Sequence, residues 1–248
     1  MIISRSMTRV HVVFDGINGA GKSTYRTTFE NTQKEKIKSL LKDGENSLFL
    51  GECVASDEQR QKWYGNLGKG PTDIDYEKLH RDMRLKRHTD TISKINGFVS
   101  EERHPLAWSY FCPTLLELGK ITKTEYHSFM SETLPLMSNV QLPDIWVFVN
   151  TFAGIARQRI IQDNSRPNAE REFNTQQYLE ILEKNLRQFM MNDVYDWHER
   201  LGKPKPHVII ANSSIPLNEV PKLAHRVSEE VFEAVQYQFK LKRGEEDG

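Results

Sequence analysis

The sequence lacks several features that extracellular proteins, metal-binding domains and basic nucleic-acid-binding proteins usually have. Its 248 residues include only two cysteines, Cys53 and Cys112, which lie far apart and have no partners at metal-ligand spacing. A disulfide framework and a zinc site are therefore not expected, and a reducing, cytosol-like compartment fits. Lysine plus arginine equals aspartate plus glutamate at 34 each, so no net positive field favours nucleic acid or an anionic membrane.

Long apolar runs and low-complexity linkers are absent from the sequence as well. No apolar run approaches the roughly 18 residues of a membrane span. Residues 1–7 are too short and too polar for the apolar region of a secretory signal. We therefore expect a soluble, cytoplasmic protein with no membrane partner. The length suits a single α/β domain over residues 1–248, with the charged stretch 240–248 as a frayed tail.

What the sequence does contain is an alternation of short apolar segments with longer helical ones. That alternation is typical of a parallel sheet covered by helices on both faces. The predicted strands are residues 10–15, 47–50, 97–100, 145–149 and 208–211. The predicted helices are residues 23–41, 76–95, 105–118, 123–138 and 175–198. Trp146 in the fourth strand and residues 189–191 in the last helix are predicted to lie in the core.

A glycine-rich turn directly follows the first predicted strand. Residues 16–23, with the sequence GINGAGKS, match the phosphate-binding pattern G-x-x-x-x-G-K-[ST] between a strand and a helix. Glycines let successive backbone N–H groups point at an anion, and the helix adds its positive N-terminal dipole. We therefore predict ATP and Mg²⁺ as cofactors, with Lys22 at the β- and γ-phosphates and Ser23 on the metal. The predicted nucleotide-binding residues of this loop are Gly16, Asn18, Gly19, Ala20, Gly21, Lys22, Ser23 and Thr24.

Charged residues follow two further strands, at the sheet edge where ligands bind. Glu102 and Arg103 come after the third strand, where a carboxylate can hold Mg²⁺ through its water shell and an arginine can bind an oxyanion. An ordinary solvated helix start is the alternative. Glu52 follows the second strand, where it is either a surface acid or a base for an attacking hydroxyl. The predicted catalytic residues are Glu52, Arg103 and Lys22, and the predicted metal ligands are Ser23 and Glu102.

An arginine-rich segment over about residues 157–174 separates the fourth strand from the last predicted helix. Its arginines stand among asparagine, proline and serine, which favours a lid that closes over phosphates and stabilises their charge. A mixed-charge surface helix is the competing interpretation. The lid arginines predicted to bind the nucleotide are Arg157, Arg159 and Arg166.

Together these segments resemble the deoxynucleoside kinase family, which includes the herpesvirus-type thymidine kinases. The likeness is greatest from Glu102-Arg103-His104 to the GKIT stretch at 119–122 and the Glu-Tyr pair at 125–126. It implies a P-loop kinase fold with a parallel five-stranded sheet and helices on both faces. The implied reaction is ATP-dependent phosphorylation of a deoxynucleoside, thymidine-like, at its 5′-hydroxyl for DNA precursor synthesis. A homodimer and a virus-encoded origin are further implications of the resemblance.

The same resemblance implies residue roles at the acceptor site. Glu52 matches the family's base, and Trp63 matches its aromatic residue near the nucleobase. Tyr76 falls at the spacing of the tyrosine that contacts the sugar 3′-hydroxyl. Glu170 or Glu172 is then the lid acid at that hydroxyl, and Arg171 is a further lid arginine that binds substrate.

Several residues depart from the family pattern and keep alternatives open. Residues 53–56 replace the family's Glu-Pro continuation, and residues 14–24 resemble the P-loop of thymidylate kinases. A thymidylate-kinase-like enzyme acting on a monophosphate, or on a hydroxymethylated base in phage DNA, is therefore the second hypothesis. Nucleic acid is not expected as a partner under the first hypothesis, but the second hypothesis keeps it open. A P-loop module that switches or scaffolds on nucleotide binding is the non-enzymatic alternative.

The helix predicted at 76–95 lacks the glutamine that the family presents to the base edge. It carries five basic residues instead, which we interpret as a solvated face. If that face lined the acceptor site, it would favour an acceptor that already carries phosphate. The five residues are His80, Arg81, Arg84, Arg87 and His88.

Overall fold

The computed structural model describes residues 8–54 and 73–245. Trp63 lies outside these ranges. The strands are β1 (Arg9–Asp15), β2 (Asn46–Leu50), β3 (Gly97–Glu102), β4 (Ile145–Asn150) and β5 (His207–Asn212). The α-helices are α1 (Lys22–Leu40), α2 (Asp73–Asp90), α3 (Trp108–Glu117), α4 (Lys123–Met137), α5 (Ala153–Gln162), α6 (Asn168–Phe173), α7 (Gln176–Gln188), α8 (Val194–Arg200) and α9 (Val220–Arg243).

Across the described ranges, the strands form a five-stranded parallel sheet in the order β2-β3-β1-β4-β5. The α/β fold class predicted from the sequence is thereby confirmed. The central strand β1 is buried along its whole length, because helices cover both faces of the sheet. Phe14 of β1 is in register with Glu102 of β3, so the loop after β1 begins beside the carboxyl end of β3.

Helix α9 packs along α1 and was not among the predicted helices. Its buried residues recur at helical spacing, a pattern that is readable in the sequence. At its end, Lys242 Nζ pairs with Asp144 Oδ1 at 2.7 Å, and Arg243 Nη2 pairs with Glu45 Oε2 at 2.6 Å. The prediction of a frayed tail is therefore wrong for residues 240–243, which are helical and end in the ion-paired Lys242 and Arg243. The last three residues of the chain lie outside the described ranges.

The helix predicted at 175–198 is interrupted by a π-helical turn, Phe189–Asp193, between α7 and α8. Phe189, Met190 and Trp146 are fully buried, as predicted. Met191 is 51 % exposed, so its assignment to the core is wrong. The wider turn shifts the helical register, which places Met191 on the outer side.

No helix in residues 8–54 or 73–245 is both long and apolar enough to cross a membrane. Within the same ranges the thiols of Cys53 and Cys112 are free. The single domain, the lid motion and the homodimer stay predictions.

Candidate active site

The phosphate-binding motif forms the turn between β1 and α1, and its glycines are required by the backbone. Gly19 has a φ of +78°, and a Cβ atom there would lie 2.5 Å from the carbonyl oxygen of Ala156 in α5. Gly21 has a φ of +95°. Both backbone conformations are strained for residues with a side chain. The turn therefore packs directly against the helix that begins the arginine-rich segment.

Lys22 is buried at the start of α1, where its Nζ donates to the carbonyl oxygen of Ile17 at 3.3 Å. Burial and the nearby Arg103 lower the pKa of Lys22 to about 8, against the opposing attraction of Glu52 and Glu102. The ammonium group has thus lost much of its hydration. Binding of a polyphosphate would stabilise its charged form, which is the function that the motif predicts.

Arg103 directly follows β3 and joins the ends of three strands. Its N–H donates to the carbonyl oxygen of Phe14 at 3.2 Å, and its φ of +59° lies in the left-handed region. Its Nε lies 2.6 Å from Glu52 Oε1, and its Nη2 donates to Asn18 Oδ1 at 2.6 Å. Its buried Nη1 has no hydrogen-bond partner in the described part of the chain. Strained backbone at such a convergence of charges is a frequent feature of functional sites.

Glu52 lies two residues beyond β2 and is half-buried. Burial alone would raise its pKa, but the charges of Arg103 and Lys22 outweigh burial and hold the pKa of Glu52 at about 2. The carboxylate is therefore ionised at neutral pH. It can accept a hydrogen bond from a hydroxyl group placed between it and the phosphate loop.

Ser23 and Glu102 lie next to each other beside the loop. Ser23 Oγ donates to Glu102 Oε2 at 2.9 Å, while Arg26 Nε pairs with Glu102 Oε1 at 3.0 Å. A hydroxyl and a carboxylate oxygen at this separation are the hard ligands that Mg²⁺ takes. The donor set therefore fits a magnesium ion bound between the loop and β3.

The five basic residues of α2 that were predicted to form a solvated face are buried or half-buried, so that prediction is wrong. His80 and Arg84 are 7 % and 3 % exposed and point inward with Glu77, which is 7 % exposed. Burial and the charge of Arg84 lower the pKa of His80 to about 3. Burial also raises the pKa of Glu77 to about 7, although Arg84 and Arg103 oppose that rise. Their charge had suggested exposure to solvent. The sequence does not show that segments distant in the chain cover this face of α2.

Arg87 and His88 anchor α2 to the strand ends. Arg87 Nη1 donates to the carbonyl oxygen of Gly51 at 2.7 Å, and its Nη2 donates to Glu101 Oε2 at 2.7 Å. Glu101 Oε1 also lies 2.7 Å from His88 Nε2 and 3.1 Å from His11 Nε2. Gly51 and Glu101 directly precede Glu52 and Glu102. This buried network therefore fixes α2 against the strand ends that carry the candidate catalytic groups.

Arg81, the last of the five, donates from Nη1 to Thr133 Oγ1 of α4 at 2.9 Å. The arginines of the predicted lid also differ in their partners. Arg159 donates to the carbonyl oxygens of Ala20, Ser213 and Ile215 at 3.1, 2.8 and 3.0 Å. It thereby ties α5 to the phosphate loop and to the segment after β5.

Arg157 and Arg166 hold the predicted lid together. Arg157 Nη1 donates to the carbonyl oxygen of Arg171. Arg166 pairs with Asp163 at 3.0 Å and with Glu170 at 2.5 Å, and it lines the central cavity. Direct contact of these arginines with phosphate stays a prediction.

A cavity of about 310 Å³ joins the phosphate loop, the strand ends, α2 and the segment 163–173. Of the residues predicted from the sequence, it is lined by Asn18, Gly19, Lys22, Glu52, Tyr76, Arg103, Arg166 and Glu170. Arg157, Arg159, Arg171 and Glu172 do not line it, and Glu172 is exposed. Of the two lid acids, the structure thus brings Glu170 to the cavity.

Two parts of the cavity lining were not predicted from the sequence. They are the inward face of α2 and the aromatic residues Phe111 and Tyr178. Glu77 and Tyr178 line the cavity, and the Arg103 guanidinium lies 4.7 Å from the centre of the Phe111 ring. Glu77, His80 and Arg84 are one and two helical turns apart, a spacing that indicates a shared face. That spacing was the signal available in the sequence.

Comparisons with known proteins show which solved structures have a similar fold. No family model and no curated protein matches the sequence. The fold is similar to that of deoxyadenosine kinase from M. mycoides with bound dATP, at a TM-score of 0.66 and 18 % identity over 90 % of this chain and 100 % of that one. The same enzyme with products dCMP and dCDP matches at 0.64 and 16 %, and with dCTP at 0.60 and 15 %, with the same coverage. The chain therefore has the P-loop deoxynucleoside kinase fold.

Proposed function

We propose that this protein is a P-loop kinase that transfers the γ-phosphoryl group of ATP to the 5′-hydroxyl of a deoxynucleoside. The observation that carries the proposal is Glu52, an ionised carboxylate held by Arg103 in the same cavity as Lys22. A hydroxyl acceptor gains from such a base, whereas the oxygen of a monophosphate is already anionic. The similar structures are of a deoxyadenosine kinase, one of them with the products dCMP and dCDP, which agrees with this reaction.

In this reaction Glu52 accepts the proton of the 5′-hydroxyl while the hydroxyl oxygen forms a bond to the γ-phosphorus. The bond from that phosphorus to the oxygen bridging the β-phosphate breaks, and ADP leaves with the electron pair. Lys22 and Arg103 stabilise the negative charge on the transferred group. Ser23 and Glu102 hold Mg²⁺, which neutralises charge on the phosphates when it is bound.

The remaining predicted residues have supporting roles. Arg166 is the lid arginine of the cavity, and Tyr76 and Glu170 bind the sugar 3′-hydroxyl. Arg157 and Arg159 hold the lid and the donor side of the site in place, because their guanidinium groups donate to backbone carbonyl oxygens on both sides. The loop residues from Gly16 to Thr24 bind the ATP phosphates.

The charges of the cavity favour a neutral acceptor over a monophosphate. Arg103 is paired with Glu52, and Arg166 is paired with Glu170. Arg84 lies close enough to Glu77 to oppose the rise in its pKa. Two of the cavity's arginines are thus already neutralised by carboxylates, which leaves less positive charge for an acceptor phosphate.

The test is phosphoryl transfer from labelled ATP to four deoxynucleosides, their monophosphates, and duplex DNA containing hydroxymethylated pyrimidines. We expect 5′-monophosphate products, with thymidine included as the acceptor that the sequence resemblance implies. Glu52→Gln should lower kcat by about 10²- to 10⁴-fold, the usual contribution of a general base. The exposed lid variant Glu172→Gln is the matched control and should retain activity. Turnover of monophosphates alone, unaffected by Glu52→Gln, would overturn the proposal.

A further inference from the structure

We propose that Asn174 is a positioning residue for phosphoryl transfer, because it holds Asn18 of the phosphate loop in the orientation that fixes the Arg103 guanidinium. The inference rests on the proposed function and adds to it a residue that does not itself line the cavity. Asn174 directly follows α6 and is fully buried. It lies 156 positions from Asn18 in the sequence, so no local pattern indicated the contact.

Three hydrogen bonds join the end of β3, the phosphate loop and the end of α6. Arg103 Nη2 donates to Asn18 Oδ1 at 2.6 Å, and Asn18 Nδ2 donates to Asn174 Oδ1 at 2.7 Å. Asn174 Nδ2 in turn donates to the carbonyl oxygen of Glu170 at 2.7 Å. We call these four residues the amide chain.

The direction of the amide chain is fixed at both ends. A guanidinium only donates hydrogen bonds, and a carbonyl oxygen only accepts them. Asn18 must therefore present its oxygen to Arg103, and Asn174 must present its amino group to Glu170. An aspartate at either asparagine position would lack the donor, and an apolar residue would lack both groups. The two asparagines thus form a specific pair.

The Arg103 guanidinium depends on this pair for its orientation. Within residues 8–54 and 73–245, its Nε and Nη1 atoms make no hydrogen bond of good geometry, although Nε is ion-paired with Glu52. The guanidinium also lies over the Phe111 ring. A hydrogen bond is directional, whereas an ion pair and a ring face leave the group more freedom to rotate. The plane of the guanidinium therefore depends on Asn18, and the orientation of Asn18 depends on Asn174.

In the proposed reaction Arg103 stabilises charge on the transferred group, so its placement affects the rate of the chemical step. A displacement of about 1 Å can cost as much as about 10²-fold in rate. Removal of the Asn174 amide leaves the Asn18 side chain free to turn away from Arg103. We expect Asn174→Ala to lower kcat by about 10-fold or more. KM for ATP should change by less than about threefold, because backbone N–H groups of the loop still bind the phosphates.

The experiment is a double-mutant cycle on kcat with the full-length protein, saturating ATP and Mg²⁺, and the deoxynucleoside that the wild-type protein phosphorylates fastest. It compares Asn18→Ala, Asn174→Ala and the double variant, with the fold of each checked by circular dichroism. If Asn174 acts through Asn18, the double variant has the kcat of Asn18→Ala to within about threefold, because the interaction is already lost. Effects that multiply would overturn the inference, and so would an unchanged kcat in Asn174→Ala.

Asn174→Asp separates positioning from a role in folding alone. The variant keeps an oxygen that accepts from Asn18 but loses the donor to Glu170. We expect its kcat to stay within about threefold of the wild-type value, although urea unfolding shows a less stable protein, because a buried carboxylate faces a carbonyl oxygen. If Asn174 only supported the fold, the aspartate variant would be no more active than the alanine variant, and that result would also overturn the inference.

Asn185 is the matched control. Its Nδ2 donates to Thr114 Oγ1 at 3.1 Å between α7 and α3, away from the cavity. Asn185→Ala removes a similar hydrogen bond and should leave kcat unchanged. Turnover of deoxynucleosides with independent effects at Asn18 and Asn174 would contradict this inference alone. Absence of turnover of any deoxynucleoside by the wild-type protein would instead refute the proposed function, and this inference with it.

Discussion

At the scale of single residues, Glu77 couples the acceptor cavity to the stability of the fold. Burial raises its pKa from the ordinary value of 4.5 to about 7, although Arg84 and Arg103 oppose the rise. The protonated form is therefore favoured in the folded state. Its contribution to stability is fully present below about pH 4.5 and is lost as the pH rises through about 7.

This linkage predicts that Glu77→Gln stabilises the protein more at pH 8 than at pH 5. The neutral amide removes the cost of ionising a buried acid, which amounts to roughly 3 kcal/mol between these limits. Urea unfolding of both proteins at the two pH values measures the difference, so that other titrating groups cancel. Glu172→Gln is the exposed control. An equal effect of Glu77→Gln at both pH values would contradict the assigned pKa.

A second residue-scale prediction concerns the glycine that packs against α5. Gly19→Ala combines a positive φ with a Cβ atom 2.5 Å from the Ala156 carbonyl oxygen. Gly119→Ala has a similar φ of +65° but meets no atom within 4 Å. We expect about 1 kcal/mol of destabilisation at Gly119 from the backbone alone. At Gly19 we expect a larger loss together with weakened ATP binding, because α5 must move. Equal losses in urea unfolding, with unchanged ATP affinity, would show that the close contact has no consequence.

At the scale of elements, α2 positions the strand ends as well as lining the cavity. Arg87 donates to the Gly51 carbonyl oxygen and to Glu101, directly before Glu52 and Glu102. Arg87→Met should therefore lower kcat by about 10- to 100-fold with a smaller change in KM, because small displacements of catalytic groups cost rate. Arg87→Lys should restore part of the loss, since one donor remains. If Arg87→Met lowered the stability of the fold but left kcat unchanged, Arg87 would have no positioning role. Lys86→Gln, on the exposed side of the same helix, is the control.

The elements also show what could be predicted from the sequence. All five strands were predicted within two residues at each end, because each contains a short apolar run that ends at polar residues. The phosphate loop was predicted because its glycines are fixed by local geometry. The buried face of α2 was not, since the side chains that pair with Arg81, Arg87 and His88 come from β3 and α4. Hydrogen-bond and ion-pair partners that come from distant segments cannot be predicted from the residue pattern of one helix.

At the scale of the whole molecule, the donor side of the site is built from distant segments. Arg159 of α5 joins the phosphate loop at Ala20 to the segment after β5 at Ser213 and Ile215. Arg159→Met removes the donors for these carbonyl oxygens, each worth about 1 kcal/mol. We expect a loss of roughly 1 to 3 kcal/mol in urea unfolding and a higher KM for ATP. The same loss of stability with an unchanged KM would make Arg159 a support of the fold without a role at the donor site.

Because the loop, the segment 163–173 and the strand ends converge on one cavity, binding of the donor should stabilise the entire fold. At a concentration 100 times its Kd, a ligand that binds only the folded state contributes about 2.7 kcal/mol. For a chain of this length, that corresponds to a rise in Tm of roughly 5 to 10 °C. We expect this rise with ATP and Mg²⁺, a smaller one when EDTA removes the metal, and little in Lys22→Met. Scanning calorimetry measures it, and an unchanged Tm of the wild-type protein with saturating ATP and Mg²⁺ would contradict the assignment of this cavity as a kinase site.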